Sequence, residues 1–306
     1  FPQFGWEVKF VDPRQPENFA AAIDDETRAL FVESASNPDG IVADLEAIAA
    51  IAHDSGVPLV VDNTLPTPAL CQPITWGADI VVHSMTKYLG GQGNSVGGAI
   101  VEAGAFDWGN GKFPLMSEPT AAYHGLRFYE TFGNFAFAVR AKAVGLRDMG
   151  PALSPFNAFL ILQGIETLPL RMERHVANAD KVAAWLARSP HVAWVSYPRL
   201  PQNRTPLADK YCPRGLGGVF TFGVKGGYQM GVAVVDNCQL LSHVANIGDT
   251  RSLIIHPAST THRQLDDAQR TAAGAGPEVV RLSVGLETAE DIIADLEQAL
   301  EQAAAY

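Results

Sequence analysis

The chain has 306 residues, of which 47% are hydrophobic and 18% are charged, as in an ordinary globular protein with a sizeable core. This composition excludes a mainly disordered chain. The net charge of -11 argues against nucleic acid or an anionic membrane as a partner, because both attract clustered lysine and arginine.

Residues 6 to 103 alternate short apolar β runs with stretches of helical periodicity. Strands are predicted at WEVKFVD (6–12), TRALFVES (27–34), PLVVDN (58–63) and ADIVVHS (78–84), and helices at PENFAAAID (16–24) and VADLEAIAAIAHDSG (42–56). Nearly continuous apolar strands separated by helices indicate a mostly parallel sheet that is buried on both faces. The predicted fold class is therefore α/β, with a doubly wound sheet.

One lysine directly follows the last of these strands, in the stretch ADIVVHSMTKYLGGQGNSVGGAIV (78–101). Lys87 stands between this strand and a glycine-rich turn, and another strand-like segment follows the turn. Glycines allow a sharp turn and a close approach to a ligand or partner; here they are Gly90, Gly91, Gly93, Gly97 and Gly98. A lysine at a strand end is usually a solvated charge, so its role depends on the other strand ends.

The second half of the chain combines long helices with strands patterned for one buried face. Residues 154–188 predict one or two long helices, divided near Pro169. Strands are predicted at VAWVSYP (192–198), GGVFTFGV (217–224) and VVRLSVGLE (279–287), and a terminal helix at 289–305. We expect a large α/β domain with linking helices over residues 1–170, and a smaller α+β domain over residues 171–306.

The three cysteines, Cys71, Cys212 and Cys238, are widely spaced and form no CxxC motif. They fit a reducing cytosol better than a disulfide framework, and we interpret them as packing residues. No apolar run reaches the length of a membrane span, and the N-terminal residues lack the pattern of a signal peptide. We therefore expect a cytoplasmic protein. Because the sequence starts without methionine and within a strand-like run, we also expect that it begins inside a longer protein.

Polar side chains follow three successive strands of the predicted parallel sheet. They are Glu33, Ser36 and Asn37, then Asp62 and Asn63, then Ser84 to Lys87. Ligands of such sheets collect beyond the carboxyl ends of the strands, so the three sets together favour a site. Each set alone also fits a turn or a cap, and residues 37–40, Asn-Pro-Asp-Gly, fit a turn best.

A pyridoxal phosphate ring would use the groups at these strand ends. It needs a lysine to form an imine, a carboxylate to keep the pyridine nitrogen protonated, and donors for its phosphate. Lys87 supplies the amine and Asp62 the carboxylate, at the ends of successive strands. Ser84 and Thr86 flank the lysine and can donate hydroxyl hydrogen bonds to the phosphate.

Other interpretations of the same residues stay open. Asp62 taken alone fits a cap equally well, and Ser84 and Thr86 fit the ordinary end of a strand. His83 is interpreted as a packing residue rather than a catalyst. A non-enzymatic nucleotide-binding α/β protein is the alternative of a different class, but GxGxxG opening a helix straight after a strand is missing. The spacing of a metal site is missing as well.

The chain resembles the cysteine/methionine-metabolism family of pyridoxal-phosphate enzymes, which has the fold type I architecture. The resemblance rests on HSMTKYLGG at the lysine, on ESASNP and VVDNT before it and on VVRLSVGLE near the end, all in the family's order and spacing. Within the family, SEPTAAYHGL, TFGVKGG and ANIGDTRSLIIHPASTTH are most similar to the sulfide-using branch that acts on O-acetylhomoserine.

The resemblance implies a role for residues around the cofactor. Lys87 would form the imine, Asp62 would contact the ring nitrogen, and Ser84 and Thr86 would bind the phosphate. Asn37 would contact the phenolic oxygen of the ring.

The resemblance also implies a substrate site, in which Arg281 binds the α-carboxylate. A planar guanidinium suits a carboxylate, and an arginine inside a strand is costly to bury without a partner. The alternative is a structural ion pair of Arg281 with Glu287 or another carboxylate. Asn246 and Ser259 fall in the segment that shapes the family's substrate pocket.

The activity implied is γ-replacement on O-acetyl-L-homoserine by sulfide, which gives L-homocysteine and acetate. Alternatives within the family are a γ-synthase that uses cysteine, an O-succinylhomoserine-using enzyme, and a γ-lyase. The family also implies a homotetramer built from two close dimers. Its ring-stacking residue and a neighbouring subunit's phosphate ligands would lie before Phe1, so the residues named here would form only part of a site.

Overall fold

The computed structural model describes residues 2–38 and 40–305 and contains two β-sheets. The first sheet is formed by β1 (Leu30–Glu33), β2 (Leu59–Asp62), β3 (Ile80–Ser84) and β4 (Gly98–Glu102). The second is formed by β5 (Val192–Ser196), β6 (Val219–Val224), β7 (Ser242–His243), β8 (Leu253–Ile255) and β9 (Val279–Ser283).

The first sheet has the order β1-β2-β3-β4. Strands β1, β2 and β3 are parallel, whereas β4 runs antiparallel to β3. In the β1–β2 pair Glu33 lies opposite Asp62, and in the β2–β3 pair Asp62 lies opposite Val82, so the carboxyl ends share one edge. The predicted strands at 27–34, 58–63 and 78–84 and the mostly parallel sheet are therefore confirmed.

Helices cover the first sheet and connect it to the second. They are α1 (Glu17–Ala22), α2 (Leu45–Asp54), α3 (Thr67–Leu70), α4 (Pro114–Ser117), α5 (Phe128–Phe132), α6 (Ala136–Arg140), α7 (Pro155–Glu166), α8 (Leu168–Leu186), α9 (Pro206–Tyr211), α10 (Gly227–Asn237), α11 (Asp267–Ala272) and α12 (Ala289–Ala304). Short 3₁₀ turns occur at Pro2–Phe4, Pro73–Trp76, Ala121–Tyr123, Gly133–Phe135 and Pro257–Ser259, and π-helical turns at Met85–Leu89 and Ala141–Asp148.

Both faces of the first sheet are covered by apolar side chains. On one face, Leu45, Ile48 and Ala52 of α2 are fully buried against the sheet. On the other face, Ile80 packs in a cluster with Trp108, Met116, Phe128 and Ala136 from the chain after β4. Burial on two faces explains why these strands are almost continuously apolar.

The long helical region divides where predicted. Ser154 caps α7, because its hydroxyl accepts a hydrogen bond from the Asn157 backbone N–H at 3.1 Å. Thr167 separates α7 from α8, and Pro169 lies in the first turn of α8, where its missing N–H costs nothing. Helix α8 then runs to the second sheet.

The second sheet has the order β5-β6-β9-β8-β7. Its pairs are antiparallel except for β7 and β8, which are parallel. Helices α8, α10 and α12 pack on it, around a core that includes Phe220, Phe222, Ile254 and Leu282. The predicted strands at 192–198, 217–224 and 279–287 and the terminal helix are confirmed, and the domain boundary near residue 170 stays a prediction.

The predicted strand at residues 6–12 is wrong. This segment is irregular, and Trp6, Val8 and Phe10 are 63%, 44% and 92% exposed. Alternating apolar residues form a strand only where a neighbouring strand accepts their backbone hydrogen bonds, and within the described chain no strand pairs with residues 6–12. The turn predicted at 37–40 includes Asp39, which lies outside the described residues.

Cys71 and Cys212 are buried in the core beside the first sheet, and Cys238 packs against the core of the second, which agrees with a packing role. No helix in the described parts of the chain is long and apolar enough to cross a membrane.

Candidate active site

Lys87 lies in a π-helical turn, Met85–Leu89, which begins directly after β3. Its backbone angles, φ -89° and ψ -134°, are not helical, although the residues around it form a turn. Backbone hydrogen bonds close this turn: Gly90 N–H donates to the Met85 carbonyl at 2.9 Å, and Gly91 N–H donates to the Lys87 carbonyl at 2.7 Å. The lysine is therefore held at the carboxyl edge of the first sheet.

The Lys87 amine faces a residue from the second half of the chain. Its Nζ donates a hydrogen bond to Asn246 Oδ1 at 2.5 Å. Partial burial and the positive charge of Arg281 lower the pKa of Lys87 below its usual value. A larger fraction of this amine is thus in the neutral, nucleophilic form at a given pH than for an exposed lysine.

Arg281, on β9, completes a chain of contacts with Asn246. Its Nη2 donates to the Asn246 carbonyl at 3.3 Å, and its Nη1 donates weakly to Asn37 Oδ1 at 3.5 Å. Burial lowers the pKa of Arg281 to about 10. Within the described chain no carboxylate forms an ion pair with it.

The predicted alternative partner of Arg281 is engaged elsewhere. Glu287 accepts hydrogen bonds from the Ser252 backbone N–H at 2.7 Å and from the Ser252 hydroxyl at 2.8 Å. The structural ion pair with Glu287 is therefore wrong, and the Arg281 guanidinium keeps its charge available for an anion.

Asp62 ends β2 at the same sheet edge as Lys87. Its Oδ1 accepts a hydrogen bond from the Thr64 backbone N–H at 2.8 Å, which is the turn interaction that the sequence left open. The Thr64 hydroxyl in turn accepts from the Ser84 backbone N–H at 2.8 Å, so it ties the ends of β2 and β3 together. For Asp62 Oδ2 we find no hydrogen bond to the described residues.

The hydroxyl of Thr86 has partners in the glycine-rich segment. It donates to the Gly97 carbonyl at 3.3 Å and accepts from the Gly97 N–H at 3.1 Å. These bonds match the alternative in which Thr86 satisfies the end of the strand. Ser84 joins the same edge through its backbone, and the phosphate-binding roles of Ser84 and Thr86 stay predictions.

Asn37 joins the site, whereas Ser259 does not contact it through its hydroxyl. The Asn37 backbone N–H donates to Glu33 Oε2 at 3.1 Å, and its side chain contacts Arg281. Burial and the charge of Asp62 raise the pKa of Glu33. The Ser259 hydroxyl is paired with the His256 ring and carbonyl, at 3.0 and 3.2 Å.

Several polar residues at the strand ends have structural roles. The Asn63 side chain is fully buried; its Oδ1 accepts from Ser34 Oγ and its amide donates to the Cys71 carbonyl. Ser36 closes a loop with Ile41 through its hydroxyl. His83 is buried, and its Nδ1 has no hydrogen-bond partner in the described parts of the chain. Burial lowers the pKa of His83, whereas the Asp62 carboxylate acts in the opposite direction.

Sequence reasoning missed Arg171 and Tyr88, which support the turn of Lys87 from behind. Tyr88 is fully buried, and its hydroxyl accepts from the Gly218 N–H at 2.8 Å. Arg171 donates to the Tyr88 carbonyl at 2.8 Å. A signal was present: helical periodicity places Arg171 one turn after the buried Leu168, on the apolar face of α8.

These groups fit a cofactor with a reactive carbonyl group, together with a substrate that has a carboxylate. A lysine of lowered pKa supplies the amine, a carboxylate ends the neighbouring strand at the same sheet edge, and an arginine without an acidic partner lies near the lysine. The class of protein that this fold and this residue set define is a fold type I pyridoxal-phosphate enzyme. Residues 1–301 match the family described as Cys/Met metabolism PLP-dependent enzyme, and the chain belongs to that family. This result removes the non-enzymatic nucleotide-binding alternative.

The chain is similar to other members of the family over nearly its whole length. It is 52% identical to O-acetyl-L-homoserine sulfhydrylase of Leptospira meyeri, over 98% of this chain and 70% of that protein. It is 46% identical to homocysteine/cysteine synthase of Saccharomyces cerevisiae, over 98% of this chain and 71% of that protein. A crystal structure from Campylobacter jejuni, which contains a pyridoxyl-lysine monophosphate, matches with a TM-score of 0.94 and 41% identity, over 98% and 72% of the two chains.

Proposed function

We propose that this protein catalyses γ-replacement on O-acetyl-L-homoserine by sulfide, giving L-homocysteine and acetate. The observation that carries the proposal is that Asn246 contacts both Lys87 and Arg281, and so brings the reactive amine beside a free guanidinium. The similarity to an O-acetyl-L-homoserine sulfhydrylase supports the choice of substrate.

Arg281 binds the α-carboxylate of the substrate in this proposal. Its guanidinium can form a bidentate pair with a carboxylate, and partial burial makes the electrostatic attraction stronger than in water. Asn37 and Asn246 orient the guanidinium without neutralising it, because both offer uncharged oxygens. The substrate is thereby fixed at one end, with its Cα near Lys87.

Lys87 holds the cofactor and then moves protons at the substrate. Pyridoxal phosphate, when bound, supplies an electron sink for the charge left when the Cα proton is removed. The Lys87 amine takes that proton, since its lowered pKa favours the neutral base. After a second proton is lost at Cβ, acetate leaves Cγ, sulfide adds there, and the protons return.

The remaining predicted residues hold the cofactor. Asp62 keeps the ring nitrogen protonated, Ser84 and Thr86 bind the phosphate, and Asn37 contacts the phenolic oxygen. Asn246 and Ser259 shape the substrate pocket, Asn246 directly and Ser259 from the turn Pro257–Ser259 that packs near β9.

Steady-state assays of the full-length protein test the substrate assignment. O-acetyl- and O-succinylhomoserine are each assayed with sulfide, with cysteine and without a nucleophile. We expect the highest kcat/KM with the acetyl ester and sulfide. A preference for cysteine indicates cystathionine γ-synthase, a preference for the succinyl ester indicates an O-succinylhomoserine sulfhydrylase, and dominant ketoacid release indicates a cystathionine or methionine γ-lyase.

Borohydride reduction tests the role of Lys87. Borohydride should fix the cofactor on the peptide that contains Lys87, and this bound cofactor is the label. Lys87→Ala should lower kcat/KM at least about a hundredfold. Lys112→Ala is the matched control, because the Lys112 amine donates to the Ser55 carbonyl, remote from the site. Label on another peptide, or full turnover by Lys87→Ala, rejects the assignment.

We also propose that the full-length protein is a cytoplasmic homotetramer, a dimer of dimers, with small molecules rather than nucleic acid as partners. The three unpaired cysteines support a reducing compartment, and the net charge of -11 disfavours nucleic acid. Exposed apolar side chains on α7 support association of subunits.

A further inference from the structure

Arg171 is a buried cation whose hydrogen bonds go to neutral oxygens. Only 9% of the residue is exposed, and its pKa is lowered by burial. Its Nη1 donates to the Tyr88 carbonyl at 2.8 Å, and its Nη2 donates to the carbonyls of Leu89 and Gly164 at 3.3 and 2.6 Å. Its Nε donates to the Thr167 hydroxyl at 3.1 Å. Within the described chain no carboxylate pairs with it.

An arginine in this setting is expensive, because a buried charge without a counter-ion loses its hydration and gains no ion pair. A buried leucine or methionine would fill the same space at lower cost. The fold keeps a rigid donor group whose partners are three carbonyl oxygens and one hydroxyl. The hydrogen-bonding geometry of the guanidinium, rather than its charge, therefore explains why an arginine occupies this position.

The carbonyls that Arg171 binds belong to the turn that carries Lys87. Tyr88 and Leu89 directly follow the lysine, at the end of a π-helical turn where carbonyls lack helical partners. By donating to both carbonyls, the guanidinium fixes the peptide planes on the C-terminal side of Lys87. The lysine keeps a non-helical backbone inside this turn, so these planes decide where its side chain points.

The Arg171 guanidinium and α7 both pack closely against the glycine turn. A Cβ added at Gly91, whose φ is +72°, would lie 2.3 Å from Arg171 Nη1. A Cβ added at Gly164 on α7 would lie 2.3 Å from the Gly90 carbonyl oxygen. The guanidinium, the glycine turn and the α7–α8 junction thus form one tightly packed unit behind the lysine.

We propose that Arg171 is a positioning residue for Lys87, which sets the direction of the lysine side chain toward Asn246 by holding the carbonyls of Tyr88 and Leu89. This inference rests on the proposed role of Lys87 in holding the cofactor. In this proposal Arg171 acts through the turn of Lys87, because its hydrogen bonds go to backbone carbonyls and to the Thr167 hydroxyl.

The test compares Arg171→Met and Arg171→Lys with Arg174→Met in the full-length enzyme. Arg174 lies on the same helix and also donates to backbone carbonyls, those of Leu286 and Glu287 at 3.3 and 3.1 Å, but it is exposed and its hydrogen bonds do not reach the turn of Lys87. It therefore controls for the loss of an arginine from α8. The lysine variant retains a cation and is used if the methionine variant does not fold.

Three readouts are measured for each variant: the rate at which pyridoxal phosphate is re-incorporated into the apo enzyme, the visible circular dichroism of the lysine-bound cofactor, and kcat and KM. For the Arg171 variants we expect re-incorporation and kcat to fall about tenfold to a hundredfold, because a misplaced reactive group costs rate. KM for the amino acid should change less than about threefold, since Arg281 is untouched. The dichroism should change in shape or sign, whereas Arg174→Met should match the wild type in all three.

Two results overturn the proposal. One is an Arg171 variant that is folded and shows wild-type re-incorporation, dichroism and kcat. The other is a variant whose thermal stability falls while these three readouts stay at wild-type values, because Arg171 would then only stabilise the fold. Failure of the Lys87 assignment is recognised separately, since borohydride would then label a different peptide in the wild-type enzyme.

Discussion

Two cations without acidic partners distinguish the candidate site at the scale of single residues. Lys87 and Arg281 lie at opposite ends of Asn246, and the pKa of each is lowered, mainly by burial. Their mutual repulsion is acceptable in a site that receives an anion, because a bound carboxylate relieves it. The charges of these two residues therefore indicate the charge of the ligand.

Replacing Arg281 by lysine should weaken binding of the amino-acid substrate. A lysine keeps the charge but loses the planar fork, so one hydrogen bond to the carboxylate and the contact with Asn37 are lost. We expect KM for O-acetylhomoserine to rise about tenfold or more, the equivalent of one hydrogen bond to a charged group. Arg174→Lys is the control, and an unchanged KM in Arg281→Lys would show that the carboxylate binds elsewhere.

His175 should make the fold sensitive to acid. It is fully buried, its Nδ1 contacts the Val284 carbonyl at 2.7 Å, and burial lowers its pKa to about 4. The unfolded chain binds a proton near pH 6.5, so the stability due to neutral His175 is complete above pH 6.5, decreases progressively as the pH falls below that value, and is fully lost once the pH has fallen through about 4. At pH 5 the loss should be about 2 kcal/mol.

Urea unfolding of His175→Gln at pH 7 and pH 5 checks this expectation. The variant should lose less stability between the two pH values than the wild type, because glutamine does not titrate. His243→Gln, at an exposed position, should behave like the wild type. Equal acid sensitivity in His175→Gln would place the titrating group elsewhere.

At the scale of elements, the lysine turn is held by close contacts from α7. Gly164 of α7 lies against the carbonyls of Leu89 and Gly90, and added Cβ atoms would lie within 2.6 and 2.3 Å of these oxygens. The helix can approach the turn this closely only because residue 164 has no side chain. Backbone atoms cannot give way as a flexible side chain can.

Gly164→Ala should therefore separate α7 from the lysine turn. We expect a loss of about 1–3 kcal/mol in the free energy of unfolding, as for other overpacked sites, together with faster release of the cofactor. Gly145→Ala is the control, since its Cβ would have nothing within 4 Å and alanine favours a helix. The midpoint of urea unfolding is measured for both variants. Equal midpoints for Gly164→Ala and Gly145→Ala would refute the close contact.

Sequence periodicity predicted the elements whose pattern reflects local burial. Helix α2 and strands β1 to β3 carry apolar residues at the expected spacing, and their polar ends indicated Asp62 and Lys87. The two-residue strand β7 and the short helices between residues 114 and 140 were not predicted, because elements this short contain too few residues to show a hydrophobic period. Residues 6–12 alternate correctly, yet no described strand pairs with them.

The contacts that complete the site were beyond reach for a different reason. Arg171 and the carbonyl of Tyr88 are 83 residues apart in sequence, and no local pattern relates them. The same holds for the bonds of Thr86 to Gly97, which appear only once the segment after the lysine folds back on β3. Motif resemblance identified the residue types, whereas their partners depend on tertiary packing.

At the scale of the whole molecule, one apolar face stands out on α7 and the start of α8. Phe156, Phe159, Leu162 and Leu170 are 67%, 55%, 58% and 70% exposed. Side chains three residues apart lie on one side of a helix, so Phe156, Phe159 and Leu162 form a patch on α7, and Leu170 adds an exposed apolar side chain at the start of α8. The patch lies on the helix that also packs against the lysine turn.

Phe159→Glu should weaken the proposed tetramer. A carboxylate in the centre of an apolar interface loses its hydration without a partner, so association should require at least about tenfold higher protein concentration, the equivalent of roughly 1.4 kcal/mol. Multi-angle light scattering of the full-length protein measures the mass. Leu240→Glu alters an equally apolar, 42% exposed position away from α7 and is the control. A wild-type monomer at micromolar concentration would contradict the tetramer itself.

The hydrogen bond between Lys87 and Asn246 joins residues that are 159 positions apart. On a ribosome adding 5–20 residues per second, the asparagine is made roughly 8 to 30 s after the lysine. During this interval the nascent chain contains Lys87 but not Asn246, the acceptor of its hydrogen bond. Strand β9, which carries Arg281, is made later still. The amine therefore meets its partner only after residue 246 has been made, and a chain that stalls before that residue has no such site.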